Sequence, residues 1–333
     1  MGIIKDSLYN IANKRFLPFF KNQSVFPYYH LVRDNKVPHI ENLYPYKNIA
    51  QFRKDIDVLL KNYNAVNPEY LLKNKAMPNN SFLLSFDDGL EEIYSVIFPI
   101  LKEKKIKALF FINPNFVDNK ESLYKHDISL IINHLSQIDY NLEIVQKIAS
   151  LFDIKYNSNV DFINKFKNIR FSEKHKIKEV LNLLNINIED YLREKKPYVT
   201  KEQIKEMMED GQLFGGHTMS HPPLKQLAFE EQKKEIIDSI EWLKINFGIE
   251  YSLFSFPFSD KGVAKKLLKE LFGYDNKILL FGNSGLKKDI DERLIQRFSL
   301  ENPNKDTQKQ IVTENLYKIY NKFIGKYHIR RND

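Results

Sequence analysis

The feature that most constrains the fold of this 333-residue chain is an alternation of short apolar segments with amphipathic ones. Continuous apolar runs such as 107–113 are typical of strands buried on both faces, whereas 48–63 carries its apolar residues at helical spacing. Strands are predicted at 25–32, 81–86, 107–113, 212–216, 251–257, 277–282 and 294–300. About seven strands separated by helices indicate a parallel sheet covered by helices on both faces.

One long segment breaks this rhythm. Residues 118–195 are rich in Lys, Asn, Ile and Leu, show helical periodicity and carry few strand signals. We interpret them as a mostly helical insertion within one domain that spans 25–305. A helical lead-in, 1–24, precedes this domain, and a C-terminal helix and tail, 306–333, follow it.

Two adjacent acids end one of the predicted strands. The sequence Ser85-Phe-Asp87-Asp88-Gly89 places both carboxylates at the tip of an apolar run. Neighbouring carboxylates repel each other and add nothing to a core. Either they lie on a harmless surface turn, or a positive group beside them makes the arrangement favourable.

A second unusual segment follows the strand 212–216. It reads Gly215-Gly-His217-Thr-Met-Ser-His221-Pro-Pro, with two histidines four positions apart. On a helical turn that spacing puts the two imidazoles on one side, close enough to share an ion. Such pairs also occur by chance on helix surfaces, so this motif alone does not establish a metal site.

The two segments together predict a catalytic metal centre. Both follow short apolar strands, and parallel α/β barrels carry their active sites at the carboxyl ends of strands. One carboxylate and two imidazoles make a three-ligand Zn²⁺ site with a position open for water. The chain has no cysteine, so a metal ion must be held by His, Asp or Glu. In this hypothesis Asp88 binds the metal, while Asp87 takes a proton from water.

These motifs resemble those of the polysaccharide deacetylase family, also called the NodB-homology or carbohydrate esterase family 4 domain. The resemblance includes SFDDG at 85–89, HTMSH at 217–221, the helix 198–207, the Pro-aromatic strand 254–258 and the final strand 293–298. It covers about residues 25–117 and 196–300, without the insertion. It implies a distorted (β/α)7 barrel and metal-dependent removal of acetyl groups from N-acetylated sugars.

The resemblance also implies roles for individual residues. Asp87 corresponds to the catalytic base and Asp88, His217 and His221 to the metal ligands, with Zn²⁺ the expected ion. The backbone N–H of Phe258 corresponds to a donor to the tetrahedral oxyanion.

Two departures from the family pattern concern the base and the acid. Many members have an arginine that orients the base two residues before the strand proline, and here that position is Ser255. Many also take a general acid from a late histidine, but no histidine lies between His221 and His328. We expect His30, at the end of the strand VFPYYH, to serve as the acid, as in a similar subset of the family; His328 is a weaker candidate.

The remaining histidines are assigned more ordinary roles. His39 is a candidate for lining the substrate cleft. His126, His134 and His175 lie in the insertion and are expected at the surface.

The charge distribution and the targeting signals limit the possible binding partners and the expected cellular location. The net charge is +8, which suits an acidic partner, but the lysines are scattered and no basic block indicates nucleic-acid binding. No secretory signal or membrane-spanning segment is visible, so a cytoplasmic location is expected, with peripheral membrane contact left open.

Two alternatives to a polysaccharide deacetylase remain open. One is a deacylase of another amide or ester, such as a lipid-linked sugar precursor, and the other is an inactive sugar-binding module. The sequence does not predict an oligomeric state.

Overall fold

Short parallel strands form the centre of the fold, as the alternating pattern predicts. The computed structural model describes residues 3–74 and 77–333. Its strands are β1 (Ser24–Val25), β2 (Pro27–Tyr29), β3 (Asn64–Ala65), β4 (Ser81–Phe82), β5 (Ser85–Phe86), β6 (Leu109–Ile112), β7 (Leu213–Gly216), β8 (Leu253–Ser255), β9 (Leu279–Gly282), β10 (Leu294–Gln296) and β11 (Phe298–Ser299). Each predicted strand is found, but 25–32, 81–86 and 294–300 are each divided into two short strands, and 107–113, 212–216, 251–257 and 277–282 are shortened.

The main sheet closes into a barrel. Its strand order is β10-β9-β8-β7-β6-β5-β2-β11, and all the pairings are parallel. Because only Arg297 separates β10 from β11, these two segments are one interrupted strand whose halves pair with opposite ends of the sheet. The barrel therefore has seven strands, and the predicted (β/α)7 architecture is confirmed. A small parallel sheet, β1-β4-β3, lies beside it.

The alternation of side chains along each strand separates two hydrophobic layers. One buried cluster contains Leu83, Leu109, Phe111, Leu213, Leu253, Leu279, Phe281 and Ile295, which fill the barrel. The residues between them, such as Phe110 and Phe214, belong to clusters packed under the helices. Asp87 follows Leu83 and Ser85 at alternate positions, so its side chain lies on the inner face of the barrel.

Helices surround the barrel. They are α1 (Ile3–Ile11), α2 (Ile49–Asn62), α3 (Pro68–Asn74), α4 (Phe98–Glu103), α5 (Tyr124–Gln137), α6 (Leu142–Leu151), α7 (Asn159–Phe166), α8 (Lys174–Leu183), α9 (Ile188–Lys195), α10 (Lys201–Glu209), α11 (Phe229–Phe247), α12 (Lys265–Tyr274) and α13 (Thr307–Phe323). Thr200 caps α10 through a reciprocal pair of bonds with Gln203, as expected for a helix that starts there. A π-helical turn, Ile93–Ile97, leads directly into α4.

The insertion consists of α5 to α9 and has a hydrophobic cluster of its own. Ile131, Val145, Phe162 and Val180 are fully buried in that cluster. Leu31 and Leu90 from the barrel side belong to the same cluster, so the insertion packs directly on the barrel. In the described part of the chain, no helix is both long enough and apolar enough to cross a bilayer.

Candidate active site

A cavity of about 600 Å³ opens at the carboxyl ends of the barrel strands. Its lining includes six of the residues nominated for chemistry, namely His30, Asp87, Asp88, His217, His221 and Phe258. This volume is typical of small-molecule sites. The structure therefore brings together residues that lie more than two hundred positions apart in the sequence.

A sharp turn after β5 positions the two acids. The N–H of Asp87 donates to the carbonyl of Tyr29 at 3.0 Å and so continues the strand ladder. Asp88 and Gly89 then adopt left-handed conformations, with φ of 74° and 66°. A Cβ on Gly89 would lie 3.0 Å from the Cγ2 of Ile112, so this turn requires both the conformational freedom and the small size of glycine. The turn separates the two carboxylates, which can then act on different partners.

The two histidines lie on a strained turn after β7. Thr218 and His221 both have positive φ, 67° and 55°. The amide of Asn113 donates to the carbonyls of His217 and Thr218, and the N–H of His221 donates to the hydroxyl of Thr218 at 3.1 Å. Strain of this kind persists only where the surrounding contacts hold it, and it concentrates at functional sites.

Asp88, His217 and His221 form a cluster able to hold a metal ion. The Oδ1 atom of Asp88 lies 3.3 Å from the Nε2 atom of His217 and 3.2 Å from that of His221. Two atoms bound to one Zn²⁺ at a tetrahedral angle are about 3.3 Å apart. Within the described chain, Asp88 Oδ1 is buried without a hydrogen-bond partner, as expected for an atom whose partner is an ion. The donor set therefore fits a divalent metal.

The surroundings favour the ligand forms of these groups. The Nδ1 atom of His217 lies 2.7 Å from the carbonyl oxygen of Ser255 and donates to it, which leaves Nε2 free to bind a metal. Burial lowers the pKa of His221, which favours the neutral imidazole. Burial alone would raise the pKa of Asp88, but His221 and His30 lower it well below its usual range. A carboxylate with neutral imidazoles is the state that metal binding needs.

Asp87 is held by an arginine from the last strand. The two guanidinium nitrogens of Arg297 lie 2.8 and 2.7 Å from the two carboxylate oxygens of Asp87. Burial opposes ionisation of Asp87, but Arg297 and His217 lower its pKa below the usual value. The hydroxyl of Ser255 lies 2.5 Å from Nη2 of Arg297 and 3.3 Å from Asp87. Position 255 carries a serine, and the arginine that contacts Asp87 in this chain is Arg297.

His30 is paired with a carboxylate of its own. Its Nδ1 atom lies 2.7 Å from Oε2 of Glu301, and its backbone N–H donates to Oε1 at 2.5 Å. Burial favours the neutral ring, but Glu301 and Asp88 outweigh it and raise the pKa of His30 to about 10. Its ring also packs against Tyr44, with centroids 5.1 Å apart. These contacts favour the protonated imidazole of His30, which lies on the cavity wall.

Phe258 follows Pro257 in another left-handed conformation, with φ of 56°. Its ring packs on His221 at 4.7 Å between centroids, and its carbonyl accepts from the amide of Asn283 at 2.7 Å. Among the hydrogen bonds of the described residues, none uses the Phe258 N–H as a donor. That donor is free for a ligand in the cavity.

The other histidines depart in part from expectation. His126 is buried and lines the cavity, with Nδ1 at 2.7 Å from the Tyr198 hydroxyl, so the expected surface position is wrong. His39 is buried against Tyr191 and His126, and the described lining of the cavity does not include it. His175 is exposed as expected, whereas His134 is half-buried. His328 is exposed and pairs with Lys288, outside the described cavity lining.

Sequence reasoning assigned no role to Arg297, Glu301 or His126. One signal points to Arg297: it occupies the same face of its strand as Ile295, and a buried guanidinium needs an acid. Glu301 lies beyond the strand and has no comparable signal. His126 does not lie on the apolar face of α5, so the sequence pattern predicts an exposed side chain rather than a buried one.

Comparison with known families decides the classification. A polysaccharide deacetylase family model matches residues 74–129 and 145–276, more than half of the chain. The chain belongs to the polysaccharide deacetylase family. It is therefore a hydrolase of carbon–nitrogen bonds other than peptide bonds. The match includes Asp87, Asp88, His217, His221 and part of the insertion, whereas His30 and Arg297 lie outside it.

Solved structures share the fold at low identity. The deacetylase PplD from Streptococcus pyogenes, solved with acetate, is 16% identical, with a TM-score of 0.55 over 88% of this chain and 98% of that one. IcaB from Ammonifex degensii is also 16% identical, with a TM-score of 0.52 over 88% and 97%. BC0361, a polysaccharide deacetylase from Bacillus cereus, is 14% identical, with a TM-score of 0.52 over 89% of this chain and 70% of that one. No curated protein sequence matches the chain.

Proposed function

We propose that this deacetylase-family chain is a metal-dependent enzyme that removes acetyl groups from N-acetylated sugars. The observation that carries the proposal is the convergence of Asp88, His217 and His221 beside the Arg297-bound Asp87 in one cavity. A divalent ion held by one carboxylate and two imidazoles, most readily Zn²⁺, makes water more acidic and polarises a carbonyl group.

The residues of the chain then divide the proton transfers between them. Asp87 is ionised, and Arg297 orients it to accept a proton from the attacking water. The free N–H of Phe258 donates to the oxygen of the acetamide as negative charge develops there. His30, protonated through Glu301, donates to the departing amine. The products are acetate and a free amino sugar.

The sequence departs from the family pattern at Ser255 and in having no histidine between His221 and His328. Both departures raise the question of whether the site is catalytically active. A module that only binds sugar would need neither an oriented base nor a protonated acid. Here Arg297 contacts the proposed base although position 255 is not an arginine, and His30 with its partner Glu301 is available as the acid although no histidine lies between His221 and His328. Both observations favour an enzyme over an inactive binding module.

The test is acetate release from N-acetylglucosamine oligosaccharides, with the metal content of the purified protein measured in parallel. We expect release that depends on Zn²⁺, and a fall of about 10³-fold in kcat for Asp87→Asn. The surface change Asp139→Asn is the matched control and should leave kcat unchanged.

Three results would overturn the proposal. Equal sugar binding by parent and Asp87→Asn without acetate from either would establish a binding module. Release from acetyl esters but not from acetamides would establish a different deacylase. Full activity in Asp87→Asn would remove the assigned base.

A further inference from the structure

The insertion forms one wall of the catalytic cavity. The start of α5 contributes residues 123–126, and the segment after α7 contributes 167–169. A third segment, the 3₁₀ turn Leu224–Gln226, follows the histidine turn and continues the same wall. The wall thus shares one cavity with the cluster of Asp88, His217 and His221.

Each of these three segments brings a lysine to the cavity, namely Lys125, Lys167 and Lys225. Within the described chain, none of the three has a carboxylate within ion-pair distance, whereas many other lysines do. In a lysine-rich protein an unpaired lysine at the open surface is ordinary, but three around one cavity are not explained by composition.

Lys125 is the most constrained of the three. It is half-buried, and its ammonium group donates to the carbonyl of Lys167 and lies 5.1 Å from the Tyr124 ring centroid. Burial lowers its pKa to about 8, so most of the charge remains at neutral pH but is poorly compensated. A half-buried cation without an acidic partner is costly, and an anion beside it offsets that cost.

A further contact holds the other two lysines on the same wall. The side-chain carbonyl of Gln226 accepts from the N–H of Phe171 at 2.9 Å. This bond ties the turn that carries Lys225 to the chain shortly after Lys167. The segments that carry the three lysines therefore form one wall, which is built from two parts of the protein.

No acid of the cavity is available to neutralise this wall. Among the described residues lining the cavity, the acidic ones are Asp87 and Asp88. Asp87 is paired with Arg297, and Asp88 lies in the metal-ligand cluster. The charges of the three lysines are therefore not neutralised by an acid of the described lining, and uncompensated cations in a cleft attract anions.

We infer that the cavity accepts N-acetylated sugars that carry an anionic group, phosphate or carboxylate, and that Lys125, Lys167 and Lys225 bind that group. This inference rests on the proposed function and specifies the substrate class within it. The two anionic groups share the chemistry that ammonium groups recognise, and the substrates used in the test distinguish them.

The test compares three sugars on the metal-loaded protein: N-acetylglucosamine 1-phosphate, N-acetylmuramic acid and the neutral methyl N-acetylglucosaminide. We expect KM to be about tenfold lower for at least one anionic sugar, with similar kcat, because the lysines act on binding. A preference for the phosphate alone or for the carboxylate alone assigns the group. Raising the salt from 50 to 500 mM should reduce the preference.

The double variant Lys167→Gln/Lys225→Gln should abolish the preference, so that within this variant the KM values of the anionic and the neutral sugars become equal. Lys147→Gln/Lys178→Gln, on exposed positions of α6 and α8, changes the net charge equally and should retain it. Because phosphate and carboxylate can also bind a metal, calorimetric titration of the metal-free protein should show the same dependence on the lysines.

Failure of this inference is distinguishable from failure of the proposed function. Acetate release at equal KM from neutral and anionic sugars, or a preference unaffected by the lysine variant, overturns the anion site alone. Lysine-dependent binding of an anionic sugar without acetate from any sugar overturns the deacetylase and retains the anion site.

Discussion

The guanidinium of Arg297 forms a two-bond ion pair with the carboxylate of Asp87, although 210 positions separate them in the sequence. Both side chains are almost fully buried, and Arg297 also lies over the Tyr28 ring, 4.7 Å from its centroid. A paired geometry of this kind fixes orientation as well as charge. It connects the segment SFDDG, 85–89, to the last strand of the barrel.

Replacing Arg297 by lysine tests whether that orientation matters. Lysine keeps the positive charge but forms only a single-point contact, so Asp87 should lose its fixed direction. We expect Arg297→Lys to lower kcat about 10²-fold while the bound metal, measured by elemental analysis, is unchanged.

Arg293→Lys is the matched control, since Arg293 pairs with Asp291 outside the cavity lining. In an Asp87→Asn background, Arg297→Lys should have little further effect, because both changes remove the same oriented base. Additive losses in the double variant would assign Arg297 a role separate from Asp87.

Removing the His30 ring should impair protonation of the amine. We expect His30→Ala to lower kcat about 10²-fold with metal retained, and His175→Ala, at an exposed position, to have no effect. Normal turnover in His30→Ala would exclude His30 from the mechanism.

Glu301→Gln tests the origin of the charge on His30. Glu301 raises the pKa of His30, so removing the carboxylate should move the alkaline fall in kcat/KM to lower pH. Because the pKa of His30 is raised in the fold, its stabilisation is complete below about pH 6.5 and is lost as the pH rises towards 10. Urea unfolding at several pH values should show this loss in the parent and much less of it in Glu301→Gln. If the alkaline fall in kcat/KM stays at the same pH in Glu301→Gln, Glu301 does not control the protonation of the general acid.

Metal binding should stabilise the fold. A metal ion that binds only the folded state contributes about 4 kcal/mol at a thousandfold excess over its Kd. Zn²⁺ should therefore raise the Tm of the metal-free protein, and Asp88→Asn or His217→Gln should abolish that shift. Asp87→Asn should keep it, because Asp87 is paired with Arg297 and is not in the ligand cluster. A loss of the shift in Asp87→Asn would place Asp87 among the ligands.

The C-terminal segment should be important for stability rather than for chemistry. Arg331 is buried and pairs with Asp260 at 2.5 Å and with Asp289 at 2.6 Å. Removing one partner of such a buried pair costs about 3–5 kcal/mol. We expect Arg331→Ala to lower the free energy of unfolding by that amount, with kcat per folded molecule unchanged. Arg330→Ala, at an exposed position, should have little effect; equal losses in both variants would contradict this account.

The strands, most helices and the four motif side chains follow from local patterns. A strand buried on both faces is apolar along its whole length, so the apolar run 107–113 predicts a strand without knowledge of its neighbouring strands. Asp87 and His217 come directly after such strands, and the carboxyl ends of parallel strands meet at one end of a barrel. The nomination of His30 instead came from the resemblance to a family subset, since one histidine at a strand end carries little information by itself.

The sequence by itself determined which segments become strands and which polar residues stand at their ends, because strand and helix periodicities are local properties. Tertiary structure alone decided that Arg297 pairs with Asp87, that Glu301 contacts His30 and that the insertion lines the cavity with His126 and lysines. Those relationships depend on how a seven-strand barrel closes and on where an inserted helical bundle packs. Such contacts join residues far apart in the chain, and no local pattern specifies them.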